Sequence, residues 1–169
     1  MVLKEKEINF LFGIAQLAAA QSSAIRLKVG GVITDSGGNF IAYSYNGTPR
    51  GFDNCCEHRH YPSDDKKNGL IVTDQIYDYY DFATEKPYRL KTKDSTIHCE
   101  ANLVAHAARR GISVNEGKVF LTHSPCESCS ALLVQCGIKD VYFLQKFRTY
   151  DAVLNNFKHA LNINQWKIQ

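Results

Sequence analysis

The sequence predicts an α/β sandwich in which the second half of the sheet is mostly parallel. After residue 98, short strand-like apolar runs alternate with longer helical segments, an order that places helices between parallel strands. Earlier, two apolar runs at residues 29–34 and 40–45 flank a turn-forming cluster at residues 35–39, which is typical of a β-hairpin. A chain of 169 residues is long enough to bury the core of one domain, which we assign to residues 1–169.

Each element is predicted from the spacing of its apolar residues and from the residues that end it. Residues 4–22 carry apolar side chains at helical spacing on one face. Gly111 and Gly137 follow two later helical segments and are typical helix terminators. The predicted helices span 4–22, 101–110, 126–136 and 150–161, and the predicted strands span 29–34, 40–45, 118–122, 141–144 and 165–168.

Residues 52–95 are the least regular part of the chain. They combine glycine, proline, many charges and several tyrosines, and they contain one short helical pattern at residues 74–82. A segment of this length is too long for a plain connection between two elements. We therefore interpret it as an insertion with a functional or oligomer-forming role.

Composition limits the partners and the compartment. Hydrophobic residues make up 44% and charged residues 22%, as in ordinary globular proteins, and the net charge of +3 without a Lys/Arg block argues against a nucleic-acid partner. No apolar run reaches the roughly 20 residues of a membrane span, and the charged N-terminus lacks a signal-peptide pattern. We expect a cytoplasmic protein with no membrane partner, whose six cysteines are reduced or bind metal.

Two motifs carry the chemistry, His98-x-Glu100 and Pro125-Cys126-x-x-Cys129. One imidazole and two thiolates suit a tetrahedral zinc ion (Zn2+) and leave its fourth position open to water. Glu100 would then handle the protons of that water as the catalytic residue, and this combination is the signature of zinc-dependent base deaminases. The sequence therefore predicts one Zn2+ per chain, bound by His98, Cys126 and Cys129.

Spacing predicts how these side chains meet. Cys126 and Cys129 are three residues apart, so at the start of a helix they share a side, where the helix dipole supports thiolate charge. His98 and Glu100 would diverge inside a helix, and they converge only if His98 stands at the helix entry. The zinc is thus expected between two helix N-termini. A structural zinc or idle thiols remain the alternative, and Glu100 argues against both.

The chain resembles the cytidine deaminase-like superfamily at these motifs, and the deoxycytidylate (dCMP) deaminases, in particular their phage-type members, at others. Those other segments are residues 28–33, 45–51, 53–56 and 98–102, of which the Tyr-Asn-Gly-x-Pro-x-Gly segment at 45–51 favours a mononucleotide substrate. The resemblance implies a three-layer α/β/α sandwich around a central mixed sheet of about five strands. It also implies a hydrolase that converts dCMP to dUMP and ammonia for dTTP synthesis.

The resemblance further implies roles in substrate binding. Glu100 would move protons from water to the ring and to the leaving ammonia, while the Ser124 carbonyl would accept from the 4-amino group. Asn46 and Asn102 would contact the sugar or base. Phe147 would stack on the base, with core packing as its alternative. A monophosphate needs cationic or N–H donors, for which the cationic candidates are Arg26, Lys28, Lys146 and Arg148, each with a solvated surface charge as its alternative.

Regulation is also implied by the resemblance, namely a homo-oligomer, expected to be a hexamer, that dCTP activates and dTTP inhibits. Gly47 and Thr48 lie in a loop whose small residues and N–H groups suit a triphosphate with magnesium (Mg2+), and Arg109 matches a position linked to the effector response. Arg109 is equally well interpreted as a cation that stabilises a helix C-terminus.

A second ligand-rich patch contains Cys55, Cys56, His58 and His60. Some phage-type relatives carry an additional structural zinc. The positions where those proteins offer further ligands are here Ala24 and Thr96, so ordinary thiols and exposed histidines are the favoured interpretation.

Two other functions remain open at this stage. A tRNA adenosine deaminase, or another nucleotide deaminase of the superfamily, would share the metal motifs but would need a nucleic-acid surface in the tRNA case. A non-enzymatic, structural zinc-binding interaction domain would have no use for Glu100. Free-nucleoside cytidine deaminases usually have cysteine where this chain has His98.

Overall fold

The computed structural model describes residues 3–67 and 76–168. Within these residues, no helix has both the length and the apolar composition needed to cross a membrane. The helices are α1 (Glu5–Ala20), α2 (Pro62–Lys67), α3 (Cys99–Arg109), α4 (Glu127–Gln135) and α5 (Tyr150–Phe157). The strands are β1 (Gly30–Thr34), β2 (Phe40–Tyr45), β3 (Glu57–His60), β4 (Tyr79–Asp81), β5 (Lys86–Thr92), β6 (Lys118–His123), β7 (Asp140–Gln145) and β8 (Asn162–Gln165).

A five-stranded mixed sheet forms the centre of the molecule, in the order β2-β1-β6-β7-β8. Strand β1 pairs antiparallel with β2 and β6, whereas β6, β7 and β8 are parallel. The predicted hairpin and the mostly parallel second half are both confirmed. The carboxyl ends of β6 and β7 lie side by side, which brings the loops that follow these strands together at one edge of the sheet.

Helices cover both faces of this sheet, which gives the three layers that were expected. On one face, Ile8, Leu11 and Phe12 of α1 pack against Val32 and Phe120. The neighbouring strand residues point to the opposite face, where they pack with α3 and α4, because successive side chains in a strand alternate. That second cluster includes Ile33, Val119, Leu121, Leu103 and Leu133.

Two predicted elements differ from the structure. The helix predicted at residues 74–82 is wrong, because Tyr79–Asp81 is strand β4, whose Tyr79 pairs with Tyr88 of β5 and stacks on its ring. Residues 74 and 75 lie outside the described residues. The last strand begins at Asn162 instead of residue 165, since the parallel register places Asn162 beside Asp140.

The insertion forms its own antiparallel sheet in the order β3-β5-β4. Among its described residues, several buried contacts are polar. Asp65 of α2 accepts from Tyr77 at 2.6 Å and lies 2.7 Å from the His60 ring, and Asp81 binds Tyr61 and Arg59 at 2.7 Å each. Charge-assisted hydrogen bonds thus connect α2, β3 and β4 within the described part of the insertion.

Candidate active site and metal centre

Two helix N-termini carry the candidate metal ligands. His98 is the N-cap of α3, with an extended backbone (φ −69°, ψ 153°), and Cys126 is the N-cap of α4 (φ −79°, ψ 171°). Because the backbone of His98 is not yet helical, its ring and the carboxylate of Glu100 can serve the same site although they are two residues apart. Cys129 lies in the first turn of α4.

The geometry of these three side chains fits a zinc ion. His98 Nδ1 lies 3.5 Å from Cys126 Sγ and 3.4 Å from Cys129 Sγ. Tetrahedral bond angles and ordinary zinc bond lengths would separate such nitrogen and sulfur atoms by about 3.6 Å. All three ligand atoms lie within 4.8 Å of one another, and no other such group of three was found in residues 3–67 and 76–168.

The environment shifts the pKa values of the Cys126 and Cys129 thiols in opposite directions. The hydrogen bond from Cys129 lowers the pKa of the Cys126 thiol to about 3, with His98 and Ser128 adding to the effect against burial. Donation to that thiolate, together with burial, raises the pKa of the Cys129 thiol. One negative charge therefore disfavours the second, and a bound dication would allow both thiolates to form.

Glu100 is 4% exposed, and burial raises the pKa of its carboxyl group. A carboxyl group with a raised pKa accepts and releases protons more readily near neutral pH than an exposed one does. Its neighbour Cys99 is fully buried against the core and donates to the Ser44 carbonyl at 3.3 Å. Cys99 therefore belongs to the packing beneath the site.

One cavity of about 530 Å³ opens beside His98, Glu100 and Cys126. Five of the predicted substrate-binding residues line it, while three do not: the lining residues are Arg26, Asn46, Ser124, Phe147 and Arg148, and the others are Lys28, Asn102 and Lys146. Ser124 and Phe147 follow the adjacent ends of β6 and β7, and the Phe147 N–H donates to the Ser124 hydroxyl at 2.8 Å.

Asn46 has a structural task within this cavity wall. Its amide oxygen accepts from the Ser22 hydroxyl and the Val29 N–H at 2.8 Å each, and its amide nitrogen donates to the Leu27 carbonyl at 2.9 Å. These bonds hold the loop between α1 and β1, which carries Arg26. Asn46 therefore shapes the cavity through this loop.

A second cavity of about 580 Å³ lies between β2, α3 and the loop after β2. It is lined by Gly47, Thr48 and Arg109, the three residues predicted for effector binding, and also by Asn102. The Asn102 amide donates to the Tyr45 carbonyl at 2.9 Å. Asn102 thus lies on the other side of α3 from the metal ligands, contrary to the prediction that it shares their pocket.

The residues of the second ligand-rich patch find separate partners. Cys55 Sγ donates to the Glu57 carbonyl at 3.1 Å, Cys56 Sγ lies 3.4 Å from the Ser23 hydroxyl, and His60 binds Asp65. The hydroxyl group of Thr96 donates to the Cys56 carbonyl at 2.9 Å. His58 is exposed as expected, whereas His60 is buried, so the expectation of an exposed histidine is wrong at that position.

Several residues that line the metal-site cavity carry no motif in the sequence. Lys91 and Thr92 come from the insertion, and Thr149 precedes α5. His123 ends β6, and burial lowers the pKa of its ring. The signal that could have indicated Thr149 and His123 is their position just beside two predicted elements, whereas Lys91 and Thr92 lie in a segment without clear periodicity.

Comparison with known proteins agrees with this geometry. A profile of the cytidine and deoxycytidylate deaminase zinc-binding region matches residues 5–145. The deoxycytidylate deaminase of enterobacteria phage T4 is 31% identical over 150 residues, which is 82% of this chain and 76% of the phage protein. Human deoxycytidylate deaminase is 25% identical over 136 residues, 80% of this chain and 63% of the human protein.

Solved structures share the fold. The dCMP deaminase of cyanophage S-TIM5, in complex with dCMP and dUMP, has a TM-score of 0.72 at 25% identity over 98% of this chain and 100% of that one. A structure from a study of tRNA:A34 deaminases has a TM-score of 0.56 at 15% identity over 95% and 99%, which shows the fold alone. Since the family profile extends from α1 to β7 and includes both metal-ligand motifs, the chain belongs to the cytidine and deoxycytidylate deaminase family and is a hydrolytic deaminase.

Proposed function

We propose that the protein hydrolyses dCMP to dUMP and ammonia, using one Zn2+ per chain bound by His98, Cys126 and Cys129. The observation that carries this proposal is the buried carboxyl group of Glu100 in one cavity with an imidazole and thiol set spaced for zinc. The phage T4 relative, named a deoxycytidylate deaminase, and the cyanophage structure with dCMP and dUMP support the choice of substrate.

Zinc bound at this site would lower the pKa of a coordinated water toward neutrality. Glu100 accepts a proton from the attacking water and delivers it to ring N3, then accepts the proton of the hydroxyl group added at C4 and delivers it to the leaving ammonia. The raised pKa of Glu100 suits a group that must both accept and release protons. The Ser124 carbonyl, at the end of β6, accepts from the 4-amino group of the base.

Phe147 and Arg26 bind the base and the 5′-phosphate of the substrate. Phe147 is half-buried in the cavity and offers a ring face to the base. Arg26 is exposed and lines the same cavity, so its guanidinium group can take the 5′-phosphate, whereas Lys28 lies outside. Of the four predicted cations, Arg26 and Arg148 line the cavity, and Arg26, whose guanidinium group Thr92 holds, is the preferred phosphate ligand.

Ammonia release from dCMP, CMP, deoxycytidine and tRNA, measured with and without a chelator, tests this function. We expect the highest kcat/KM for dCMP, loss of activity with chelator and recovery with Zn2+, and about one zinc per chain by metal analysis. Equal kcat/KM for deoxycytidine and dCMP would contradict the nucleotide specificity. Activity on tRNA alone would favour a tRNA adenosine deaminase, and zinc binding without any turnover would favour a structural zinc domain.

We further propose a cytoplasmic homo-oligomer, a hexamer, activated by dCTP and inhibited by dTTP with Mg2+. Gly47, Thr48 and Arg109 line the second cavity, which is large enough for a nucleotide. The shared segment at residues 45–47 contributes to the walls of both cavities and offers a path for coupling. The six free cysteines fit a reducing compartment.

A further inference from the structure

Two strands of the insertion reach the metal-site cavity, although the insertion forms a separate sheet. Glu57 of β3 and Lys91 and Thr92 of β5 line this cavity together with Arg26. Glu57 and Thr92 lie directly opposite each other in the antiparallel pair. The insertion therefore supplies one side of the pocket in which the substrate is proposed to bind.

Glu57 holds the backbone of the loop that carries Arg26. It is 5% exposed, and its Oε1 accepts the backbone N–H groups of Ile25 at 3.1 Å and Arg26 at 3.2 Å. A buried carboxylate bound to backbone N–H groups is a strong and specific anchor. This contact sets the point from which the Arg26 side chain leaves the loop.

Thr92 orients the other end of the same side chain. Its hydroxyl group accepts from Arg26 Nη1 at 3.3 Å. The two strands thus hold Arg26 at both the backbone and the guanidinium group. Such double anchoring reduces the side-chain entropy that an exposed arginine would lose on binding an anion.

Positive charge on this wall is left without a carboxylate partner. Among the described residues, the ion pairs include neither Arg26 nor Lys91, and the Glu57 carboxylate is bound by backbone N–H groups. A third cation that lines this cavity, Arg148, follows β7 and lies over the Phe147 ring at 5.4 Å. The side of the cavity formed by β3, β5 and the loop that they hold therefore presents two cations to a ligand, Arg26 and Lys91.

We propose that β3 and β5 of the insertion form the phosphate wall of the pocket, in which Arg26 and Lys91 bind the 5′-phosphate while Glu57 and Thr92 act as positioning residues for Arg26. The insertion then determines specificity for a nucleotide monophosphate over the nucleoside. This inference rests on the proposed function, because it assigns the phosphate of that substrate.

Steady-state kinetics with dCMP and with deoxycytidine test the phosphate wall. Loss of one charged phosphate contact costs about 10- to 100-fold in binding. We expect Arg26→Ala and Lys91→Ala to lower kcat/KM for dCMP by about that factor, mainly through KM, and to leave kcat/KM for deoxycytidine within about twofold. Lys86→Ala, an exposed lysine of the same strand outside the cavity, is the matched control.

Variants of Glu57 and Thr92 test whether these residues position Arg26. Glu57→Ala removes the acceptor and should raise KM for dCMP, whereas Glu57→Gln keeps an acceptor oxygen and should restore most of the affinity. If Glu57→Ala fails to fold, Thr92→Val, which preserves shape but removes the hydroxyl, should still raise KM for dCMP alone.

The outcomes separate the inference from the function on which it rests. Wild-type protein that deaminates dCMP while Arg26→Ala and Lys91→Ala keep the wild-type ratio of dCMP to deoxycytidine activity would overturn the phosphate wall alone. An equal fall for both substrates, or a selective loss only in Arg148→Ala, would overturn it as well. Wild-type protein inactive on dCMP but active on another base would overturn the proposed function.

Discussion

Glu100 and His98 illustrate which residue positions a sequence can specify. Because they are two residues apart, their side chains can meet at one site only if His98 stands at the entry to a helix. His98 is indeed the N-cap of α3. The prediction that Asn102 shares this site, because it follows His98 by four residues, is wrong. Within α3, Glu100 and Asn102 are two residues apart and point roughly opposite ways, so Asn102 faces the other cavity.

Replacing Glu100 with glutamine should abolish turnover while metal binding persists. Glutamine has nearly the shape of glutamate but cannot carry the proton, and His98, Cys126 and Cys129 are unchanged. We expect kcat to fall by about 10²–10⁴ or more, since one group serves every proton transfer. Kinetics together with zinc analysis of the same preparation check this prediction, and near-normal turnover in a zinc-loaded Glu100→Gln protein would contradict it.

Among the elements, α1 and β1 approach each other closely at Gly30. A Cβ atom at this position would collide with the backbone of Ala15 and Ala19, with the Ala19 Cα at 2.8 Å. The sequence placed Gly30 in a strand but gave no sign that a helix crosses it. Contacts of this kind depend on the packing distance between elements, which local periodicity does not encode.

Gly30→Ala should therefore destabilise the fold. Overpacking a tight contact costs about 1–3 kcal/mol, and here the obstacle is main chain, which cannot rotate away. Gly13→Ala is the matched control, because it lies within α1 with nothing within 4 Å of its added Cβ, and it should gain about 0.5–1 kcal/mol through helix propensity. Denaturant unfolding of the two variants measures both effects, and equal stabilities would disprove the close approach.

The buried polar contacts of the insertion should make its stability depend on acid. The hydrogen bond from Tyr61 lowers the pKa of Asp81 from 3.8 to about 2, with Thr84, Ala83 and Arg59 adding to it and burial opposing it. Because the folded pKa is the lower one, the unfolded state binds more protons in this range. The stabilisation is complete above about pH 4 and is lost as the pH falls toward about 2.

Asp81→Asn tests this dependence. The variant should be less stable than the wild type near pH 7, and the difference should shrink as the pH falls from about 4 to about 2, when the wild-type carboxyl group is protonated. Amide hydrogen exchange in β4 and β5 across this pH range is the measurement, with the exposed Asp94→Asn as control. A difference that is independent of pH would show that the carboxylate charge contributes nothing.

At the scale of the whole molecule, the metal-site cavity and the second cavity lie on either side of α3 and of the segment that follows β2. Glu100 and Asn46 line the metal-site cavity, whereas Asn102 and Gly47 line the second cavity. The motifs of the sequence predicted the centre of the first cavity but not its far wall. That wall comes from the insertion, whose strands are held by polar contacts distant in sequence, such as Glu57 with Ile25.

This arrangement leads to a final prediction about regulation. An effector in the second cavity would contact the 45–47 segment and α3, which carry residues of both cavities, and would alter activity if it bound two states of the protein unequally. We expect sigmoidal velocity against dCMP, activation by dCTP with Mg2+, inhibition by dTTP, and a solution mass that corresponds to a hexamer.

Arg109 provides the decisive variant, because it is exposed, lines the second cavity and is distant from the metal ligands along α3. Arg109→Ala should lose the response to both triphosphates, since a phosphate would lose its cationic partner. Lys158→Ala, an exposed cation outside that cavity, should keep the response. Velocity measurements with each triphosphate test the effector response, and light scattering tests the hexameric mass. A monomer with hyperbolic kinetics that ignores both nucleotides would remove the regulatory role of the second cavity and leave the deaminase site intact.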